Sequence, residues 1–368
     1  MTDALPALFV ESLRGRAAAE AFVSQWEQLL ERDPEATIFQ SPQLFMAWQR
    51  ASGDSEQPWL LVARRGDEAI GFAALVVRTA VVKGLRIRTV SFGAPRGDFV
   101  ATGWREEVIA AICDRLEQET SQWDVLELSD VGTATADAVD RCISRRGRCH
   151  RHWLREAPAE ALLDVDRTWK EYLKERGMHF RNRLRPQTTR IEKLGKVELV
   201  RHCGPDASAA YEQFLELEQR SWKGRTGETR LPSRERIAFR ELLAHHDERI
   251  EPDVLFLNVD GKPAAALLSV RHHHRYYLFV TYFDDALRAW YPGRRLIMES
   301  LLHAFERPDI TELSFIGAYP FAMAWANTTR QYRSIRFYGP GLRARWARMF
   351  ERHDEPAAPP PAREAVHA

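Results

Sequence analysis

The same order of elements is legible twice along this chain, and that repetition limits its fold more than any single motif. In the first half, Pro58–Val77 holds two short apolar runs around Arg65-Gly66-Asp67, the composition of a β-hairpin. In the second half, Asp253–Val270 holds two more around Asp260-Gly261, a pair suited to a type I′ turn because both central positions need positive φ. The first hairpin is followed by strands near Ile87–Phe92 and Asp98–Ala101, a helix over Arg105–Glu119, an alternating strand Trp123–Leu128 and a helix over Thr135–Arg145. The second is followed by a strand Tyr276–Tyr282 and a helix Arg294–Glu306 with Leu296, Ile297, Ser300, Leu301 and Ala304 on one face. A strand Thr311–Ile316, a helix near Phe321–Tyr332 and a strand Ile335–Tyr338 complete it. Hairpin, strand, helix, strand, helix, read twice, predicts an α/β protein of two similar domains with mixed sheets flanked by helices. The expected boundaries are 1–160 and 161–350, with a linker around Arg155–Asp166, a helical arm Trp169–Leu194 and a disordered tail over 351–368 rich in Pro and Ala.

Composition agrees with two globular domains. The chain has 368 residues, and its 11 Trp, 18 Phe and 9 Tyr supply enough apolar surface for large cores. With 53 basic and 52 acidic side chains the net charge is +1, which argues against a whole-protein nucleic-acid binder. No apolar run is long enough to span a bilayer, and the first ten residues do not read as a secretory signal. Four cysteines are too few for a disulfide scaffold, so the reading is a cytoplasmic protein with free thiols. Charge is nonetheless uneven. Lys174–Lys196 holds eight basic residues against Glu175 and Glu192, and Arg330–Arg348 holds six arginines and no acid. Both patches read either as solvated faces or as contacts to an anionic ligand: cofactor phosphates, an acidic glycan, RNA or lipid. After Gly341 a helix would gather Leu342, Trp346, Met349 and Phe350 on one side with Arg343, Arg345 and Arg348 elsewhere. That pattern suits an anionic membrane surface or packing on the second domain.

Four stretches carry a family resemblance: Phe39-Gln-Ser-Pro-Gln-Leu-Phe-Met-Ala-Trp48; Phe180-Arg-Asn-Arg-Leu-Arg185 followed by Arg190-Ile-Glu-Lys-Leu-Gly195; Phe214-Leu-Glu-Leu-Glu-Gln-Arg-Ser-Trp-Lys-Gly224; and Tyr291-Pro-Gly-Arg-Arg-Leu296. In this order they resemble the tandem-GNAT proteins of the CelD/BcsL-type acetyltransferase family, relatives of the Fem-type aminoacyltransferases. The resemblance implies the GNAT acyltransferase fold present twice. It also implies cytoplasmic transfer of an acyl group, acetyl first, from acyl-CoA to an amine or hydroxyl of a sugar, polysaccharide precursor or other envelope-related acceptor. Two alternatives stay open: Fem-like transfer from aminoacyl-tRNA, for which the basic arm would suit RNA, and a non-catalytic envelope or exopolysaccharide assembly protein.

The sequence nominates a donor site at Gly293, Arg294 and Arg295. There a Pro-Gly loop opens a helix whose free N–H groups and dipole would face an anion. The resemblance implies that an oxyanion donor lies near Tyr282 or Phe283 and that Tyr319 protonates the departing thiolate. Glu218 is a candidate general base, and Asp98 a candidate acid from the first half. Trp222, Lys223 and Arg225, where glycines break a helix, are candidates for the acceptor side. His272-His273-His274 reads as strand, where alternate side chains diverge, so no metal is expected there. Cys142, Cys149, His150 and His152 lack a Cys-x-x-Cys pair, and no metal is expected there either.

Overall fold

The protein is described here from a computed structural model covering residues 6–222, 224, 232–245 and 247–351. In chain order the strands are β1 Leu8–Arg14, β2 Glu56–Arg65, β3 Glu68–Val82, β4 Leu85–Phe92, β5 Val100–Ala101, β6 Val125–Gly132, β7 His150–Asp164, β8 Val197–Cys203, β9 Ile250–Val259, β10 Lys262–His272, β11 Arg275–Phe283, β12 Glu312–Ser314 and β13 Thr328–Tyr338. The helices are α1 Arg16–Arg32, α2 Pro42–Ser52, α3 Arg105–Gln118, α4 Thr133–Arg146, α5 Trp169–Glu175, α6 Gly177–Thr189, α7 Pro205–Arg220, α8 Ser233–Leu243, α9 Pro292–Glu306, α10 Pro320–Met323 and α11 Leu342–Glu351. Among the described residues no helix is long and apolar enough to cross a membrane.

The chain folds into two compact units. The first takes the chain up to Pro158 and a return from Gln331; the second takes Ala159 to Arg330. In the first unit β1, β2, β3 and β4 pair antiparallel in sequence order, β6 joins β4 in parallel, and β13 closes on β6 antiparallel. In the second, β8, β9, β10 and β11 pair antiparallel, β12 joins β11 in parallel, and β7 closes on β12 antiparallel. Strand order and direction are the same in both, so the two halves share one mixed, mainly antiparallel α/β topology.

Local chemistry accounts for much of this. At the β9–β10 turn Asp260 and Gly261 sit at φ 47° and 76°, the two positive values a type I′ turn needs. Thr37 and Gln40 cap each other, and the Ser41 side chain accepts from the Leu44 N–H ahead of Pro42 at the first turn of α2. Part of the Phe39–Trp48 motif is therefore a helix start. Thr168 and Glu171 form the same capping box at the start of α5. In β2, Trp59, Leu61 and Ala63 enter one core with Ile109 and Ile112 of α3. Leu60 and Val62 enter another with Phe22 and Trp26 of α1. Helices cover both faces, which is why the strand is apolar throughout rather than alternating.

Four expectations are corrected. The segment Arg155–Asp166 is no linker: most of it lies in β7, and Ala161, Leu162 and Leu163 are buried where the strand meets β12. The helix expected near Phe321–Tyr332 is the short α10, after which the chain becomes β13, drawn into pairing with β6. His273 and His274 form the β10–β11 turn, His273 at φ 51°, rather than continuing a strand. The segment from Gln331, expected in the second domain, belongs to the first unit. There α11 packs Ala344 and Ala347 against Ile87, Val125 and Tyr338. Residues 352–368, expected as a tail, lie outside the described residues.

At the far end of α9, His303 is held down to about 4 by burial and by Arg201 and Arg307. His272, fully buried, is held well below the usual range by burial, then by His273. Both stay neutral in the fold, whereas the unfolded chain binds protons there once the pH drops below about 6.5. Stability contributed by these groups is therefore complete above that value and is lost as the pH falls toward 4. The expected result is an unfolding midpoint that declines over this window, with a shallower decline in His303→Gln. An identical pH profile for the variant would refute the assignment.

Candidate active site

In the second unit, β11 and β12 stay together for only three pairs, Arg275–Tyr277 against Glu312–Ser314, and then part. Two backbone irregularities mark the parting. Against β10 the register of β11 steps from Leu278 to Val280, leaving Phe279 as an extra residue, a β-bulge. On the β12 side, Ile316 adopts φ 61°, an unfavourable value for a β-branched residue. The Ser314 hydroxyl accepts from the Ile316 N–H at 3.0 Å and itself donates to the fully buried Glu160 carboxylate at 2.5 Å. Glu160 is paired in turn with Arg330 at 3.3 Å. Strained backbone of this kind clusters at functional sites. Beyond Tyr277, β11 has no pairing with β12.

Helix α9 begins beyond the end of β11. Tyr291 is its N-cap in the left-handed region, φ 55° and ψ 43°, followed by Pro292 and Gly293. No side chain caps the helix and its first turn holds no acid, so the N–H groups of that turn present the positive end of the helix dipole. A Cβ at Gly293 would lie 3.3 Å from the Phe283 ring, so glycine keeps this approach open. The two arginines that follow differ in use. Arg294 donates to Gln187 of α6. Burial and then the charge of Arg183 hold its pKa below the ordinary range. Arg295 is committed elsewhere: it pairs with Glu192 at 2.8 Å and Glu299 at 2.6 Å and donates to the Thr188 carbonyl at 3.0 Å. The structure thus gives Arg295 a bracing role between α6 and α9.

The matching helix of the first unit supplies an internal control. Its N-cap is also an aromatic residue in the left-handed region, Trp104 at φ 45° and ψ 40°. The turn that follows carries Glu106 and Glu107. Carboxylates there suit the helix dipole and repel an anion. Arg105 in the same turn is bound to Asp33 and Asp98, each at 3.2 Å, and to Glu35 at 3.3 Å. Asp98 accepts as well from the N–H groups of Phe99 at 2.7 Å and Gly132 at 3.1 Å. Burial raises its pKa against the lowering effect of Arg105. With these bonds it ties loop, helix and β6 together within its own unit.

On the other face of the second sheet lies a trio centred on the fully buried Glu218. The Glu218 carboxylate of α7 accepts from the Tyr282 hydroxyl at 2.8 Å and pairs with Arg236 of α8. Burial, then the Glu218 bond, pushes the Tyr282 hydroxyl well above its usual range. Tyr282 packs on Phe214, while Phe283, the next residue, turns to the α9 side. Trp222 is half-buried just past α7; Lys223 and Arg225 lie outside the described residues. Tyr319, exposed, is the N-cap of α10 and stacks on Phe321 at 6.0 Å. The structure thus joins Glu218 with Tyr282, and Phe283 with Gly293. Sequence reasoning missed Glu160, Ser314, Ile316, Arg183 and the bulge at Phe279. An acid inside the apolar run Ala159–Leu163 was the one available signal for Glu160. Among the described residues no group of three or more His, Cys, Asp or Glu side chains is placed to hold a metal.

Comparison with known proteins matches this unit first. Residues 178–325 match the family model described as an acetyltransferase (GNAT) domain. The fold is similar to that of FemX, with 11% identity, TM-score 0.64, and coverage of 88% of this chain and 98% of that one. It is also similar to a tandem GNAT protein from the clavulanic acid biosynthesis pathway, at 14% identity, TM-score 0.51 and coverage of 90% and 99%. A third similar structure is L-PGS from Bacillus licheniformis, at 10% identity, TM-score 0.52 and coverage of 90% and 95%. No curated protein matches the chain by sequence. The α/β fold is GNAT-like, with mixed sheets flanked by helices.

Proposed function

We propose that this chain is an acyltransferase that moves an acetyl or related acyl group from acyl-CoA to an amine or hydroxyl, using the second unit. The observation that carries the reading is the contrast between the two helix starts. Both units open the helix with a left-handed aromatic N-cap, yet only α9 has a first turn that lacks acids and holds a glycine, followed by Arg294, whose charge burial and Arg183 disfavour. Donor phosphates would be held there through the first-turn N–H groups and Arg294. The thioester would lie beside β11 beyond Tyr277, where β12 has parted from it. In the reaction the acceptor nitrogen or oxygen bonds to the thioester carbon, the carbon–sulfur bond breaks, and the thiolate leaves. A backbone N–H near Tyr282 or Phe283 would stabilise the oxyanion, the acceptor would give up its proton to water, and Tyr319 would protonate the sulfur and recover its own proton from solvent. Glu218 is closed off by Arg236 and Tyr282, so we assign it to positioning Tyr282 rather than to proton abstraction.

The acceptor class we favour is a sugar, polysaccharide precursor or other envelope-related molecule met in the cytoplasm, as the CelD/BcsL-type resemblance implies. A second reading has a specific observation behind it: Arg181, Arg183 and Arg185 of α6 are exposed and carry no ion pair among the described residues. Such a surface fits a tRNA-linked donor. Thermal unfolding with acetyl-CoA, longer acyl-CoAs or tRNA separates the readings, since a ligand of the native state raises the midpoint. At 100 times Kd the expected stabilisation by acetyl-CoA is about 2.7 kcal/mol. A shift with tRNA alone, abolished by salt, would replace this proposal with the second reading. No shift with any of them would favour an assembly protein without donor.

A further inference from the structure

Helix α11 is built the wrong way round for a helix that only packs on its own domain. Its inward face is small: Ala344 and Ala347, 0% and 1% exposed, rest on Ile87, Val125 and Tyr338, with Val82 and Leu85 beside them. Its large apolar side chains point out. At 100° per residue, Leu342, Trp346 and Met349 lie opposite that alanine pair, and they are 81%, 36% and 52% exposed. Trp346 is in ring contact with Phe350 at 4.6 Å. The tip of the β3–β4 hairpin, whose strand β4 packs against α11, adds Val81 at 68% exposed.

The charge around this stripe is positive apart from Glu351 at the end of the helix. Arg343, Arg345 and Arg348 on the helix, with Arg78, Lys83 and Arg86 on the hairpin, have no ion pair among the described residues. No acid occurs in 78–92 or in 339–350. This is not the habit of the chain: the arginines just before, Arg330, Arg333 and Arg336, pair with Glu160, Asp137 and Glu127. Asp124, next to the patch, is already committed to Arg88 at 3.2 Å. The arginine-rich segment therefore divides into a paired half inside β13 and an unpaired half on α11.

We propose that α11 and the β3–β4 hairpin tip form a docking surface for the face of an anionic phospholipid bilayer. Leu342, Trp346 and Met349 enter the headgroup–acyl boundary while the six cations meet lipid phosphates. An exposed apolar stripe with cations on its flanks is the pattern of a helix that lies in the interface plane. A second copy of the chain would set its own six cations against these six, which disfavours self-association through this face. The inference does not depend on the donor chemistry.

The test is co-sedimentation of the full chain with vesicles of phosphatidylcholine alone or with phosphatidylglycerol, at low and high salt, with light scattering in parallel. The expected result is binding to the anionic vesicles only, weakened by salt, and roughly five-fold weaker for each of Arg343→Ala and Arg345→Ala. Trp346→Ala and Leu342→Asp should reduce it as well, with circular dichroism unchanged because both side chains are exposed. Absence of binding, equal binding to both vesicle types, or anionic binding untouched by all four variants would overturn the proposal. So would a concentration-dependent dimer that Leu342→Asp dissolves.

Discussion

Replacing Arg294 with alanine is expected to raise the KM for the acyl-CoA donor roughly 10- to 100-fold while kcat changes little, because a hydrogen bond to a charged group is worth about 1.5–3 kcal/mol. The side chain follows Gly293 in the first turn of α9, where neither burial nor the charge of Arg183 favours a positive charge. An anion at that point relieves both. Gly293→Val should do at least as much harm, since its Cβ would already stand 3.3 Å from the Phe283 ring before either methyl is added. Arg295→Ala separates this model from a general effect of basic charge. Its side chain is held by Glu192, Glu299 and the Thr188 carbonyl, so its loss should lower the melting temperature and leave donor affinity nearly intact. Calorimetric titration of each variant with acetyl-CoA reads the difference. Full affinity in Arg294→Ala, with the fold intact, would move the donor site elsewhere.

Glu218→Ala is expected to cost about 3–5 kcal/mol, the range for removing one partner of a buried ion pair. It removes the carboxylate that Arg236 and Tyr282 share, in a site where Glu218 is fully buried. For a unit of this size that corresponds to a melting temperature lower by roughly 6–20 °C. The double variant Glu218→Leu/Arg236→Leu should recover much of the loss, because it leaves no uncompensated charge. If single and double variants melt together, the pair is not what holds α7, α8 and β11 in place. A fall below about 2 °C would show that water screens the charges.

Both experiments bear on residues the sequence had nominated, and the structure assigns them different work. Gly293 and Glu218 were visible because their signals are local: a Pro-Gly loop before a basic helix, and an acid in an amphipathic helix ended by glycines. Arg294 and Arg295 look equivalent on paper. Only the placement of α6 and the turn after it gives one a bond to Gln187 and the other a pair with Glu192. Asp98 has the composition of a catalytic acid in a Gly-Asp turn, yet its bonds to Arg105, Phe99 and Gly132 are those of a clamp. Glu160 and Ile316 had no local signal of comparable strength, since one is set by a partner on a distant strand and the other by backbone strain.

What the sequence determined by itself follows from short-range physics. The two hairpins, the helices α3, α4 and α9 and the repeated order of elements all rest on turn residues and periodicity. These act within a few residues and need no partner to be recognised. What only the tertiary structure decided are the strands that close each sheet. The strand β7 passes through a stretch of alanines and a proline that reads as linker, and β13 passes through a stretch that reads as helix. Each is a strand because a distant edge, β12 or β6, offers unpaired backbone groups that burial would otherwise leave unsatisfied. Hydrogen bonding to an edge more than a hundred residues away overrides weak local propensity. For the same reason the chain from Gln331 returns to the first unit, where α11 rests on Ile87, Val125 and Tyr338.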